Sequence, residues 1–353
     1  MKFNGLHCIA FSSFGTYIFH ELGHYTAAKL VGVYVEVFSI GFGKRLLTFR
    51  AFNTEWSISA IPLGGYVRMK GQDDADPAKK NYDKDSYNSK SPLQRIFILV
   101  AGPLANFILA FFLYFTIAMG NPAVLAPVVG SVVKESPAAI AGLESNDTIL
   151  SINGHKIQSW KEMADLITAS EGAIALEVNR EGYLKLLTLT PKLQDAKNMY
   201  GEKIKRKMIG IAAAGVMKKR ELTFMQKIKY ATDQTVFAST MIFTGLEKLL
   251  VGDVPASEMG GVISIVKLTS DATDAGWMSV LFFAALISVN LGVLNLLPIP
   301  ALDGGHIMFN LYELIFRREA NEKIVIKLTI AGWIILFGLM GLGLFNDINR
   351  LIG

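Results

Sequence analysis

Two histidines four residues apart, with a glutamate beside the first, are the residues of this chain most able to do chemistry: His20, Glu21 and His24 in the stretch FHELGHYTAAKL. On an α-helix, residues four apart share a face, so both imidazoles can converge on one metal ion while Glu21 projects beside them, the H-E-x-x-H arrangement of zinc hydrolases. Two imidazoles leave a catalytic zinc short of protein ligands, because such sites take three and keep one position open. The other histidines are poorly placed. His7 lies about four turns up the same helix, His155 belongs to a distant segment, and His306 follows a better donor. That donor is Asp303 in NLLPIPALDGGHIMF, where Pro298 and Pro300 must break a helix.

The elements that carry these groups are apolar. The 353 residues are 51% hydrophobic and 18% charged, too apolar a balance for a typical soluble protein. Long apolar runs cover Phe3 to about Val33, Ile96 to Met119, Trp277 to Leu302 and Leu328 to Phe345, each near the roughly 20 residues a membrane-spanning helix needs. Ionisable groups are expensive at bilayer depth, so His20, Glu21, His24 and Asp303 are functional candidates by position alone. Irregular backbone such as the double-proline break is tolerated there only inside protein or beside a water-filled cavity.

The net charge of +5 could suggest nucleic acid, but the basic residues cluster in loops and read as topology signals. Lys44, Arg45, Arg50, Arg68, Lys70, Lys79, Lys80, Lys84 and Lys90 follow the first run, and Arg317, Arg318 and Lys323 follow the third. Both loops are then cytoplasmic, and the segment 122–276 lies outside. The first and third runs point the same way, which brings His20, His24 and Asp303 to the same side of the bilayer. The lone Cys8 excludes an intramolecular disulfide. The first run lacks the basic start and small-residue cleavage site of a removed signal peptide, so it reads as a retained anchor. No paired or repeated broken helices suggest a transporter.

Between the runs, residues 34–70 alternate as strands do, with LLTFRAF, a turn at Asn53-Thr54 and TEWSISAI forming a hairpin. The polar stretch GQDDADPAKKNYDKDSYNSKSP reads as an exposed loop. The outer segment supplies a strand, a short helix, strands around an Asn153-Gly154 turn, a helix with a Ser159/Glu162 capping box, and two strands around Glu181-Gly182. The run Ser136-Pro137-Ala138, Ala141-Gly142-Leu143, Asn146-Asp147, Ile152-Asn153-Gly154 resembles the PDZ domains of bacterial envelope proteases. Residues 192–220 read as a basic linker, and Phe224 to Leu250 as an amphipathic helix.

The whole chain resembles the site-2 protease family of intramembrane zinc metalloproteases, in particular its bacterial RseP-like (regulator of sigma E protease) branch. The resemblance is carried by His20-Glu21-Leu22-Gly23-His24, Gly64-Gly65-Tyr66, Ala101-Gly102-Pro103-Leu104-Ala105-Asn106, the PDZ-like unit, and Asn295 to Gly305. It implies Zn2+ on His20, His24 and Asp303 with Glu21 as catalytic acid and base. Asn295, Pro298, Pro300 and Asn106 are weaker candidates for substrate binding or oxyanion stabilisation, with small-residue helix packing the stronger role for Gly102 and Asn106. The hairpin resembles a membrane-associated element that holds substrate as an added strand.

The expected architecture is a multi-pass α-helical membrane protein with four transmembrane helices, a membrane-associated β-hairpin and one extracytoplasmic PDZ domain. Its divisions fall at 1–33, 34–94, 95–121, 122–192 (PDZ), 193–275 (linker and amphipathic helix), 276–310 and 311–353. The resemblance further implies a bacterial cytoplasmic (inner) membrane enzyme, partners that are single-span membrane proteins such as anti-sigma factors or signal-peptide remnants, and peptide or protein termini at the PDZ domain. The lipid bilayer is its setting and nucleic acid is not a partner. A catalytically inactive membrane PDZ scaffold is the competing expectation. Two departures stand out: Gly260-Gly261 where the family usually has Gly-Pro, and one PDZ unit where some members have two.

Overall fold

The computed structural model describes residues 5–72, 81–198 and 202–352. The side chains of His7 and Cys8 and residues 73–80 of the expected polar loop lie outside the described residues. The chain divides into two compact units, Met1–Ile117 with Met225–Gly353, and Ala118–Phe224.

In the first unit α1 (Gly5–Leu30) leads into β1 (Val35–Ala51), β2 (Thr54–Met69) and α2 (Pro92–Met119). The turn between the strands uses Phe52 and Asn53, both at positive φ, one residue earlier than the sequence suggests. Positive φ at both central residues is what a two-residue hairpin of matching twist requires. The hairpin is also more than two strands. Residues 35–40 pair with 65–69 on one side and with 55–58 on the other, and residues 54–59 pair again with 45–51. Each long strand bends at glycine, at Gly41 and Gly64, so one hairpin becomes a four-segment sheet whose two edges are residues 65–69 and 45–51. Trp56 stacks on Phe38 at 4.5 Å, and Tyr25 of α1 meets both rings edge-on at 5.1 and 5.8 Å. These offset and T-shaped contacts dock the sheet on the helix that carries His24.

α2 begins with a capping box: the Gln94 amide donates to Ser91 Oγ at 3.4 Å, and the Ser91 amide donates to Gln94 Oε1 at 3.0 Å. Pro92 occupies the first helical position, where no hydrogen bond is lost.

The second unit contains β3 (Ala123–Leu125), β4 (Val129–Val132), α3 (Pro137–Ile140), β5 (Thr148–Ile152), β6 (His155–Lys156), α4 (Trp160–Ala169), β7 (Ile174–Arg180) and β8 (Tyr183–Leu189). Then follow β9 (Lys192–Lys197), β10 (Lys203–Met208), β11 (Ile211–Ala213) and β12 (Met217–Lys219). A four-stranded sheet runs β6-β5-β7-β8, with tight turns at Asn153-Gly154 and Glu181-Gly182, all at positive φ. Ser159 Oγ accepts from the Glu162 amide at 3.2 Å, as the capping box requires. Val129, Ile149, Ile152, Met163, Leu176 and Val178 form this unit's own core. The sequence reading of 192–220 as a linker is corrected: β9 pairs with β10, β11 with β4 and β12 with β3. The misreading has a physical cause: β9 and β10 are rich in charge, and β11 and β12 are three residues each and take their order from β4 and β3, remote in sequence.

The first unit resumes with α5 (Phe224–Val251), α6 (Val262–Asp274), α7 (Trp277–Asn295), α8 (Asp303–Phe316) and α9 (Glu322–Ile352). α2, α5 and α7 share a core through Tyr114, Ala231, Ala238, Leu281, Ala285 and Val289. Among the described residues three helices, α2, α7 and α9, are long and apolar enough to cross a membrane. α1, counted as a fourth span from sequence, is not among them, because its polar side chains dilute its apolar content. α9 meets the rest of the unit at several points: Gly332 lies against Ala301, Asp347 accepts hydrogen bonds from the backbone and side chain of Ser264, and Asn346 donates to the Ala256 carbonyl at 2.7 Å.

Candidate metal centre

α1 places His20 and His24 one above the other, both buried, with their Nε2 atoms 3.1 Å apart. The third group arrives from α8. α7 stops at Asn295, the residues around Pro298 and Pro300 turn the chain, and Asp303 opens the next helix. Gly304 and Gly305 are required there, because a Cβ at either would lie within 2.3 Å of a turn atom, Leu297 O or Ile299 O. The turn thus seats the first coil of α8 and aims Asp303 back at α1. Its Oδ2 lies 3.2 Å from His20 Nε2 and 3.4 Å from His24 Nε2.

These three atoms suit a metal ion. With metal–ligand bonds of about 2.0–2.1 Å, neighbouring donors of a tetrahedral site lie about 3.3–3.4 Å apart, close to the three separations found. Asp303 Oδ2 is also buried without a hydrogen-bond donor, an expensive state for a carboxylate oxygen unless a cation faces it. Among the described residues this is the group of His, Cys, Asp and Glu side chains that could hold a metal.

Each imidazole is held from behind by α2, which runs antiparallel to α1. His24 Nδ1 donates to the Ile98 carbonyl at 2.8 Å, and His20 Nδ1 lies 3.1 Å from Asn106 Nδ2. Gly102 makes room for the His24 ring, since a Cβ there would stand 2.2 Å from Nε2. Gly23 lets the helices approach, because its Cβ would meet the Ala101 carbonyl at 2.2 Å.

A cavity of about 420 Å³ opens on the metal face of the histidines, lined by Glu21, Tyr66, Val67, Asn295, Asp303 and Trp333, among others. Glu21 stands beside the three donors, not among them, and lines the cavity together with Tyr66 and Val67 of the sheet edge. Asn295 Nδ2 is 3.4 Å from His20 Nε2, on the cavity side. Asn106 is wholly buried behind His20, on the helix-packing side that was its stronger expected role, and is not part of the cavity wall. Pro298 and Pro300 also sit outside that wall, and they act by shaping the turn, with the Pro300 carbonyl accepting from Thr329 at 3.5 Å. Sequence reasoning missed the Ile98 carbonyl, which no side-chain pattern announces, and the α9 residues Thr329 and Trp333 that close the cavity.

The description "Peptidase family M50" matches residues 9–339. The chain belongs to peptidase family M50. This is the site-2 protease family, and the membership covers both halves of the metal centre. M50 relatives align along nearly the full length. A Campylobacter jejuni protein named as a candidate zinc metalloprotease is 45% identical over 335 residues, 95% of this chain and 90% of its own. A similarly named Helicobacter pylori (strain J99) protein is 40% identical over 342 residues, 94% of this chain and 96% of its own. Among solved structures, the PDZ domain of an SdrC-like protein from Listeria monocytogenes covers 25% of this chain and 87% of its own at 24% identity, with a TM-score of 0.20. At that score the likeness carries no argument.

Proposed function

We propose that this M50 protein is an intramembrane zinc endopeptidase that cuts the transmembrane segments of single-span membrane proteins. One observation carries the reading: His20, His24 and Asp303 converge on a point inside a helical membrane protein, with Glu21 at the side of that point and an open cavity in front. A purely structural zinc site would close all four positions with protein. Zinc is the metal that this donor set and the family favour.

His20 Nε2, His24 Nε2 and Asp303 Oδ2 would hold the ion. When bound, zinc supplies Lewis acidity that activates water and polarises a carbonyl near neutral pH. The Glu21 carboxylate takes the proton of the attacking water and delivers it to the leaving amide nitrogen, as a positioned general base and acid. Asn295 Nδ2 donates to the oxygen on which charge develops. A substrate helix hides its amides and must unwind before attack. The sheet edge at residues 65–69 receives the unwound strand and satisfies its freed backbone groups, and Gly65 sets that edge beside Glu21, where a Cβ at 65 would meet Glu21 Cγ at 3.5 Å.

In this reading α1 is a fourth span alongside α2, α7 and α9. The basic residues after α1 and α8 place those loops in the cytoplasm of a bacterial cell. The β-rich unit within 118–224 is a PDZ-like domain on the extracytoplasmic face that admits substrates already shortened there. Cleavage of a tagged single-span substrate by detergent-purified protein tests the proposal. Wild type cuts, while Glu21→Gln and chelator-treated protein do not. Intact substrates alongside bound zinc would replace the enzyme by a scaffold.

A further inference from the structure

Asn106 is 0% exposed, its Oδ1 has no hydrogen-bond partner, and its Nδ2 faces His20 Nδ1 at 3.1 Å. These facts conflict with a metal on His20. The ring turns Nε2 toward His24 and Asp303, so the metal would take the lone pair of Nε2. A neutral imidazole has one donor and one acceptor nitrogen, which leaves the proton on Nδ1. An amide N–H group facing that proton sets donor against donor in a site that water does not reach.

We infer that Asn106 presents its carbonyl oxygen, not its amide nitrogen, to a proton on His20 Nδ1, and so sets the tautomer and orientation of that ligand. The inference rests on the assignment of His20 as a metal ligand. The two ends of a carboxamide are nearly the same size, so a half-turn exchanges them without repacking. The orphaned oxygen then becomes the acceptor that Nδ1–H needs, and the NH2 group turns to the side the oxygen leaves. His24 has the same arrangement already, with Nδ1 donating to the Ile98 carbonyl. Ile98 and Asn106 lie on α2 in the reverse order of His24 and His20 on α1, as antiparallel helices require, with Gly102 between them. The Asn106 backbone is fixed in turn, since Ser288 Oγ donates to its carbonyl at 2.8 Å. Asn106 is therefore a positioning residue that acts through His20.

Zinc affinity, measured by chelator competition on the full chain in detergent, tests this. Asn106→Leu keeps the size and removes the acceptor; it should weaken zinc binding about 10–100-fold, the usual cost of losing a ligand's outer partner. Asn106→Asp keeps only acceptors and should hold zinc at least as well as wild type. Wild-type affinity in Asn106→Leu overturns the inference, and so does equal loss in both variants, which is the mark of a donor or packing role. Should Asn106→Asp fail to fold, nitrogen-15 spectra of histidine-labelled, zinc-loaded wild type decide: a hydrogen on His20 Nδ1 supports the inference and a bare Nδ1 overturns it. His20→Ala separates the two levels. If it keeps zinc, the ligand assignment fails and this inference with it; if it loses zinc while Asn106→Leu binds normally, the inference alone fails.

Discussion

His20 Nε2 and Asp303 Oδ2 stand 3.2 Å apart although one projects from α1 and the other opens α8. Such closeness between groups near opposite ends of the chain depends on the direction of the intervening spans and on the turn after Asn295. It makes Asp303 the most informative single position. Asp303→Ala should remove bound zinc and abolish cleavage while the protein still purifies as a monodisperse species. Metal content by elemental analysis checks it, and a zinc-replete, active Asp303→Ala protein would refute the ligand assignment.

Glu21 is expected to separate binding from catalysis. Because it lies beside the three donors and not among them, Glu21→Gln should keep wild-type zinc content and lower kcat by about 10²–10⁴, the range for loss of a general base. Loss of zinc in that variant would show Glu21 to be a ligand instead.

Gly102→Ala should disturb the site without replacing any titratable residue. The added Cβ would stand 2.2 Å from His24 Nε2 and 2.5 Å from Cε1, so the ring must leave its position. Zinc affinity should fall by about 10-fold or more. Gly338→Ala, where nothing lies within 4 Å, should be neutral and serves as the control for a glycine replaced in a helix.

The second unit carries a pH-sensitive anchor. Burial pushes the Asp147 carboxyl up, but Arg180 Nε at 2.7 Å and the Glu144 amide at 2.8 Å outweigh it, and the group sits below its ordinary value of 3.8. The unfolded carboxyl therefore takes up its proton first as pH falls. The stability it contributes is complete above about pH 4, shrinks as pH drops below that, and is gone once pH passes the lower folded value. Hydrogen exchange of residues 118–224 in the full chain between pH 6 and 3 should show protection falling in acid. Asp147→Asn should lower protection at pH 6 by about 1–3 kcal/mol and flatten the acid dependence.

Much of the site was legible because its chemistry is local. The four-residue spacing of His20 and His24 fixes their shared face wherever a helix forms, and the double proline before Asp303 announces a helix break at membrane depth. The linker reading of 192–220 failed because β9, β10 and β12 carry charged residues whose strand character comes from pairing. The sheet's second pairing was hidden for a related reason. Alternation in TEWSISAI marks a strand, but only the bends at Gly41 and Gly64 bring residues 35–40 against both 55–58 and 65–69.

By itself, the amino-acid sequence determined the long apolar helices α2, α7 and α9 and the shared helix face of His20 and His24. Those properties follow from residue chemistry and helical period, which need no long-range contact. Only the tertiary structure decided that Asn106 stands behind His20 and not in the cavity, that Gly102 yields space to the His24 ring, that the Ile98 carbonyl holds that ring, and that residues 65–69 lie against Glu21. Each is a contact between elements far apart in sequence, set by which helix faces pack and how closely. Periodicity along a single segment carries no record of its partner.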